Sequence, residues 1–184
     1  MTRTKIGIAA LAAVCAASWA LAGVAGSSLT SPIRFAEARG AAPEFTGLGQ
    51  WFNSQPLTMN QLRGKVVMVD FWTYGCYNCV NTLPHVTKLY DKYKDKGLVI
   101  VGVHTPEFPF ERSASNVQTA LKRHGITYPV AQDNDFATWN AYRNRYWPAQ
   151  YIVDQKGQIV YTHAGEGAYE EMDRLIGKLL NATS

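Results

Sequence analysis

Apolar residues form two long runs along this chain, separated by a segment with helical spacing. The runs cover Val66–Trp72 and Leu98–Val103 and are rich in β-branched residues. This pattern is typical of strands that are buried on both faces of a sheet. Between the runs, apolar side chains recur every three or four positions from Cys76 to about Lys96, which predicts an amphipathic helix. Strand, helix and strand in this order indicate a parallel pair with a right-handed crossover.

Weaker patterns predict the remaining elements. Residues 45–64 alternate short apolar pieces with glycine and proline, which favours an edge hairpin followed by one turn of helix. We expect Asp135 to cap the second of three further helices. The further helices are predicted at Ser113–His124, Asp135–Tyr142 and Tyr169–Leu180. The further strands are predicted at Thr127–Ala131, Trp147–Asp154 and Gln158–His163, the last two as an antiparallel pair.

The N-terminal segment has the pattern of an export signal or a membrane anchor. Two basic residues within Met1–Lys5 precede an uncharged, alanine-rich run from Ile6 to Gly26, which is just long enough to span a bilayer. We therefore assign residues 1–26 to a signal peptide or anchor, 27–43 to a linker and 44–184 to the folded domain. The domain is expected to work outside the cytoplasm, where disulfide chemistry has substrates, either as a soluble periplasmic protein after signal cleavage or tethered to the inner membrane.

The basic character of the chain comes from this same segment. The 184 residues carry 18 basic and 14 acidic side chains, a formal net charge of +4. Four of the basic residues and only one acidic residue precede Gly40, so the rest of the chain is close to neutral. A near-neutral domain gives no reason to expect a nucleic-acid partner.

Two cysteines stand at the predicted start of the first helix. The spacing of Cys76 and Cys79 lets their sulfurs meet across one turn, and the helix dipole stabilises a thiolate on the first. Reversible disulfide exchange needs this arrangement, so Cys76 is the candidate nucleophile and Cys79 the resolving thiol. The third cysteine, Cys15, lies in the N-terminal run, so a zinc site lacks ligands, and no metal or bound cofactor is expected. So short a loop would also make a poor structural disulfide.

One charge interrupts the first buried run. A buried carboxylate such as Asp70 is costly unless it is paired, neutralised or solvated. Asp70 therefore either takes part in chemistry or pairs with Lys65 or Lys88. The four histidines do not cluster at ligand spacing, and only His104, at the end of the second run, is expected near the sulfurs.

Several of these residues together resemble a thioredoxin fold. The Asp70-Phe-Trp-x-x-x-Cys76-x-x-Cys79 register, the helix-kinking Pro84 and the later Pro148 are all similar to that family. The resemblance implies a central mixed β-sheet flanked by helices, with an added N-terminal hairpin and a central helix and strand insertion.

Two further segments narrow the resemblance. Val103–Phe108 and Arg145–Ala149 are similar to the DipZ-like C-terminal domain, within the exported TlpA/ResA-like branch of thiol–disulfide oxidoreductases. The similarity extends over about Phe45–Leu180. Tyr77-Asn78 between the cysteines departs from the Gly-Pro of cytoplasmic thioredoxins, which leaves the reduction potential and the substrate fit open.

The resemblance also implies roles for individual residues. It implies proton exchange between Asp70 and Cys79, a role that Glu107 would share as the active-site glutamate of the branch. It implies a cis peptide before Pro148, which would expose the backbone of Trp147 for pairing with a substrate chain. An apolar rim around the sulfurs would come from Trp72, Tyr74, Tyr77 and Trp147.

These observations predict an extracytoplasmic thiol–disulfide oxidoreductase. Its partners would be protein thiols and disulfides together with a membrane or periplasmic redox partner, and the resemblance favours a reductant over an oxidant. Two alternatives stay open. A thiol peroxidase is weakly indicated by Thr73 three residues before Cys76, and a copper-handling protein would need both cysteines and a histidine.

Overall fold

The computed structural model describes residues 1–2 and 40–182 of the chain. Nearly all of the predicted export segment at 1–26 and most of the predicted linker at 27–43 lie outside these residues. Within the described ranges, no helix is long and apolar enough to cross a membrane. Residues at the end of the predicted linker already bond to the domain, since the Ala42 N–H donates to the Gly157 carbonyl at 2.9 Å.

The described part of the chain forms one mixed sheet of six strands. They are β1 (Trp51–Phe52), β2 (Val66–Trp72), β3 (Leu98–His104), β4 (Val130–Gln132), β5 (Ala149–Val153) and β6 (Ile159–Ala164). Their order across the sheet is β1-β4-β3-β2-β5-β6. Strands β2, β3 and β4 run parallel, and β5 lies antiparallel to β2. The predicted parallel pairing of β2 and β3 is confirmed, and the two strands end at the same edge of the sheet, with Trp72 opposite His104.

Four α-helices accompany this sheet in the described residues. They are α1 (Tyr77–Tyr93), α2 (Ala114–Arg123), α3 (Ala137–Ala141) and α4 (Tyr169–Asn181). Helix α1 contains Pro84 and continues through a short 3₁₀ turn at Lys94–Lys96. It ends at Gly97, whose φ of 103° is a left-handed conformation that glycine adopts without steric cost. A second 3₁₀ turn at Pro109–Arg112 precedes α2.

Strand β2 is buried along its whole length, as predicted. Val66 and Met68 belong to the core cluster that contains apolar residues of α1, α2 and α4. Val67, Val69 and Phe71 belong to the cluster that contains residues of α3 and of the segment before β2. Because each such side chain contributes about 1.5–3 kcal/mol on burial, the strand stabilises both layers of the domain.

The segment before β2 differs from the predicted hairpin. Only β1 is extended there, and it pairs antiparallel with β4, with Trp51 opposite Ala131 and Phe52 opposite Val130. Glycine and proline in this segment do mark turns, but the strand that pairs with β1 is β4, which belongs to the predicted insertion. The predicted hairpin is therefore replaced by one short edge strand.

The cap of α3 also differs from the prediction. Asp133, and not Asp135, accepts hydrogen bonds from the first turn of this helix. Its Oδ1 accepts from the Thr138 N–H at 3.2 Å and its Oδ2 from the Trp139 N–H at 2.7 Å. Asp133 is buried, whereas Asp135 is exposed and lies 3.8 Å from the Arg112 guanidinium. The capping carboxylate thus lies three residues before Phe136, the residue that precedes the helix and adopts a left-handed conformation.

This arrangement predicts the effect of removing each carboxylate. We expect Asp133→Ala to lower the free energy of unfolding by about 2 kcal/mol, because two buried N–H groups lose their acceptor. Asp135→Asn, at an exposed position, should change it by no more than about 0.5 kcal/mol. Urea unfolding of both variants measures the difference. Equal losses in the two variants would contradict the assignment of the cap.

Candidate active site

The two cysteines at the start of α1 differ in exposure: the sulfur of Cys76 is accessible and that of Cys79 is covered. Cys76 occupies the position just before α1, with extended backbone angles, and its Sγ accepts the Cys79 N–H at 3.3 Å. Cys76 is half-buried, whereas Cys79, one turn into the helix, is buried, and both are free thiols in this structure. The predicted order of an accessible first thiol and a covered second thiol therefore agrees with the geometry.

Asp70 lies at the centre of the sheet, opposite Gln150 of β5. It is buried, and its Oδ1 accepts a hydrogen bond from the Gln150 amide at 2.9 Å. The alternative of an ion pair with Lys65 or Lys88 is wrong, because both lysines are exposed and the bonded partner is this neutral amide. Burial raises the pKa of Asp70 from 3.8 to about 7, and the bond from Gln150 offsets part of that rise.

The second thiol is held in its neutral form by its surroundings. Burial raises the pKa of Cys79 far above the usual range, and its contact with the Cys76 sulfur adds to this effect. The charge of Asp70 raises it further, which places Asp70 within electrostatic reach of Cys79. A hydrogen bond with the Thr73 backbone acts in the opposite direction. Cys79 therefore needs a proton acceptor before it can attack, and Asp70 is a nearby carboxylate with a suitable pKa.

His104 lies beside this turn, as the sequence indicated. It is buried, and its Nε2 lies 3.2 Å from Oγ1 of Thr73, the residue whose backbone bonds Cys79. Its ring stacks on Tyr74, with 5.5 Å between centroids. Burial lowers the pKa of His104 to about 4, even though the charge of Glu111 acts in the opposite direction. His104 is therefore a neutral ring in the wall of the site at neutral pH.

The residues expected to form an apolar rim around the sulfurs differ in how far they are exposed. Tyr77 is 78% exposed on the residue after Cys76 and can reach a docked chain. Trp147 is half-buried, with its indole N–H bonded to the Thr105 carbonyl at 3.0 Å and its ring 4.2 Å from that of Trp139. Trp72 is fully buried within the core cluster, so its predicted place in the rim is wrong. A strand covered on both faces leaves its last side chain no route to the surface.

The peptide between Trp147 and Pro148 is cis, as the resemblance implied. Pro148 is buried, and its carbonyl accepts the Gly165 N–H at 2.8 Å. This bond connects the start of β5 to the end of β6, so the loop that carries Trp147 is tied to the sheet.

The carboxylate of this region that bonds the cysteine turn is Glu111. Glu107 is exposed, whereas Glu111 is buried and its Oε1 accepts the Gly75 N–H at 2.8 Å, directly before Cys76. Its Oε2 accepts the N–H groups of Glu107 and Phe108. The sequence analysis missed Glu111. A usable signal was present, because proline at the first position of a helical turn and glutamate at the third favour capping of the residue before them.

No group of three or more histidine, cysteine, aspartate or glutamate side chains in residues 1–2 and 40–182 is arranged to hold a metal ion. The groups that the site presents for chemistry are the two thiols, the buried Asp70 and the backbone N–H groups around them.

Comparison of the sequence with known proteins identifies the family of this chain. Residues 38–162 match the AhpC/TSA family. DipZ from Mycobacterium bovis is 47% identical over 148 residues, which cover 79% of this chain but only 21% of that protein. The chain thus spans about a fifth of the length of DipZ. Thiol-disulfide oxidoreductase YkuV from Bacillus subtilis is 32% identical over 77% of this chain and 95% of its own length.

A solved structure agrees with these relatives. The solution structure of a thioredoxin-like protein in the oxidised form superposes with a TM-score of 0.72 at 32% identity, covering 79% of this chain and 98% of that one. The mixed sheet, the paired cysteines at the start of α1 and the family match agree. The chain belongs to the AhpC/TSA family and has the fold of the thioredoxin-like thiol–disulfide oxidoreductases.

Proposed function

We propose that this protein is a thiol–disulfide oxidoreductase that works outside the cytoplasm and reduces disulfides in protein substrates through Cys76 and Cys79. One observation carries the proposal: the half-buried Cys76 sulfur at the start of α1 accepts the N–H of the buried Cys79 at 3.3 Å. A sulfur in this position can attack the disulfide of a partner protein, and the Cys79 sulfur that resolves the mixed disulfide lies one turn away.

The reaction follows from this order. The Cys76 thiolate attacks one sulfur of a substrate disulfide, and the other substrate sulfur leaves as a thiolate and takes up a proton. Cys79 then loses its proton and attacks the Cys76 sulfur, which releases the second substrate thiolate. Two electrons pass to the substrate, and the pair is left as a disulfide. A membrane-bound or periplasmic dithiol partner must reduce that disulfide before the next cycle.

Asp70 is the proposed proton acceptor for Cys79. Burial holds the pKa of Asp70 near 7, so the carboxylate is ionised in about half of the molecules at neutral pH and can both take and return a proton. Gln150 fixes one of its oxygens, and the charge acts on Cys79. Glu107, for which the resemblance implied a shared role, is exposed on the following loop, so we assign proton exchange to Asp70 alone.

The preference for reduction is supported by the family resemblance. The motifs of this chain are similar to the exported TlpA/ResA-like branch, which favours a reductant over an oxidant.

The extracytoplasmic location is supported by the sequence alone. The uncharged run at Ile6–Gly26 behind two basic residues is the pattern of an exported or anchored protein. A periplasmic reductant tethered to, or released from, the inner membrane fits this pattern.

The two alternatives have less support. The Thr73 hydroxyl, which a peroxidase would need beside Cys76, lies 3.2 Å from the His104 ring instead. A copper-handling role would need a histidine near both sulfurs, and His104 faces Thr73. We therefore favour disulfide exchange.

Trapping tests the reaction directly. Cys79→Ser should accumulate mixed disulfides between Cys76 and its protein substrates, because the resolving thiol is absent, and dithiothreitol should release them. The measurement is non-reducing electrophoresis of the variant purified from the periplasm, with the double variant Cys76→Ser, Cys79→Ser as control. A lack of adducts specific to the single variant contradicts protein exchange, and peroxide consumption that survives in it favours the peroxidase.

The reduction potential tests the direction. Equilibration of the Cys76–Cys79 pair with glutathione or dithiothreitol buffers should give a value more negative than about −200 mV. A value above about −180 mV would be that of an oxidant and would overturn the assignment as a reductant.

The titration of Asp70 affects stability with a definite sign. The pKa of Asp70 is raised from 3.8 to about 7 in the folded state. Between these two values the folded state keeps a proton that the unfolded state has lost, so the free energy of unfolding falls as pH rises from 4 to 8. The stability of Asp70→Asn relative to wild type should therefore increase by about 2–4 kcal/mol between pH 4 and pH 8. Urea unfolding of the reduced proteins measures this, with the exposed-site variant Asp95→Asn as control. A difference that stays constant with pH would mean that Asp70 titrates normally.

A further inference from the structure

Glu111 is a buried carboxylate that the exchange reaction does not use. It bonds three backbone N–H groups from two different loops. Oε1 accepts from Gly75 at 2.8 Å, and Oε2 accepts from Glu107 at 2.6 Å and from Phe108 at 2.8 Å. It therefore joins the turn that carries Cys76 to the loop that follows β3.

The bonding pattern identifies the ionised form. All three bonds are donated to Glu111, and within the described residues it donates none in return. A protonated acid would need an acceptor for its O–H, so the arrangement favours the carboxylate. Hydrogen bonds to an ionised acceptor are about twice as strong as neutral ones, and three of them offset much of the cost of burial.

The loop held in this way displays two aromatic rings. Phe108 and Phe110 stack with 5.6 Å between centroids and an interplanar angle of 3°. They remain 44% and 57% exposed, respectively, and belong to neither core cluster. The Tyr74 hydroxyl donates to the Phe110 carbonyl at 2.9 Å, which gives the loop a second attachment to the cysteine turn.

Phe108 lies beside Gly75, the residue that precedes the nucleophile. A Cβ added to Gly75 would overlap the Glu111 carboxylate and would lie 3.7 Å from the Phe108 ring. A larger side chain at position 75 would have to displace the Glu111 carboxylate that accepts the Gly75 N–H. The contact places an apolar, ordered surface one residue from the reactive sulfur, where it would meet the residues flanking a substrate cysteine.

We propose that Glu111 is a positioning residue that holds Phe108 and Phe110 beside Cys76, where the two rings bind an apolar side chain next to the substrate cysteine. This inference rests on the proposed function and names its substrate class: polypeptides with apolar residues flanking the disulfide. Rings that are already ordered lose little conformational freedom on binding, so exposed aromatic side chains fixed from two sides make effective contacts. Glu111 acts through them and does not touch substrate.

Two disulfide-linked peptides test the inference. They differ only in having Leu or Gly on both sides of each cysteine. The wild-type chain should reduce the Leu peptide with a kcat/KM about tenfold higher than the Gly peptide, mainly through a lower KM. Hydroxyethyl disulfide, which has no flanking residues, reports the chemistry at sulfur.

Three variants separate positioning from chemistry. Phe108→Ala with Phe110→Ala removes exposed rings and leaves the core intact, and it should bring the Leu-to-Gly ratio to about one. Glu111→Gln keeps the shape but replaces one acceptor oxygen with an NH2 group, which cannot accept a backbone N–H. The carboxylate link between the cysteine turn and the loop is then lost on one side, so the ratio should fall towards the same value. The rate with hydroxyethyl disulfide should fall by no more than about twofold in both. Asp135→Asn, an exposed carboxylate near the same loop, should retain the wild-type ratio.

The outcomes are distinguishable. A wild-type ratio near one, or a ratio that survives either the double variant or Glu111→Gln, overturns the inference while the proposed function stands. Equal losses with the peptides and with hydroxyethyl disulfide also overturn it, because Glu111 would then act on the sulfur chemistry or on the fold. A wild-type chain that reduces none of the three disulfides contradicts the proposed function itself.

Discussion

The complete burial of β2 is the constraint on which the site depends. This strand is covered on both faces and paired on both edges, so it cannot shift by one residue without exchanging the two core layers. Its end therefore fixes the turn that carries Cys76. The same register carries Asp70 to the centre of the sheet, opposite Gln150 and within electrostatic reach of Cys79. The apolar neighbours of Asp70 supply the burial energy that makes its unfavourable environment tolerable.

Local pattern was enough to predict the centre of the molecule. The runs at β2 and β3 and the helical spacing of α1 reflect periodicities that depend only on neighbouring residues. The spacing of the cysteines likewise placed both sulfurs correctly. The same pattern could not place Trp72, because a strand buried on both faces has no alternation to separate a core residue from one at the rim. The cis peptide before Pro148 was expected from the family resemblance, since local sequence does not determine it.

The failures involve partners that are distant in the chain. Strand β1 was read as half of a hairpin because its true partner, β4, belongs to the insertion. Glu107 was named from the family resemblance, and the approach of Gly75 shows that Glu111 is the buried carboxylate of this loop. Asp133 replaced Asp135 as a cap because the left-handed Phe136 bends the chain back. In each case a non-local contact, or a single unusual backbone angle, overrode a sound local preference.

The unequal accessibility of the two thiols also governs chemical damage. Of the two thiols at the site, Cys76 is the one that hydrogen peroxide and alkylating agents can reach, because Cys79 is buried and held neutral. A sulfenic acid formed on Cys76 would have Cys79 one turn away to condense with it, which returns the pair to a disulfide before further oxidation. The covered sulfur thus acts as an internal safeguard for the exposed one.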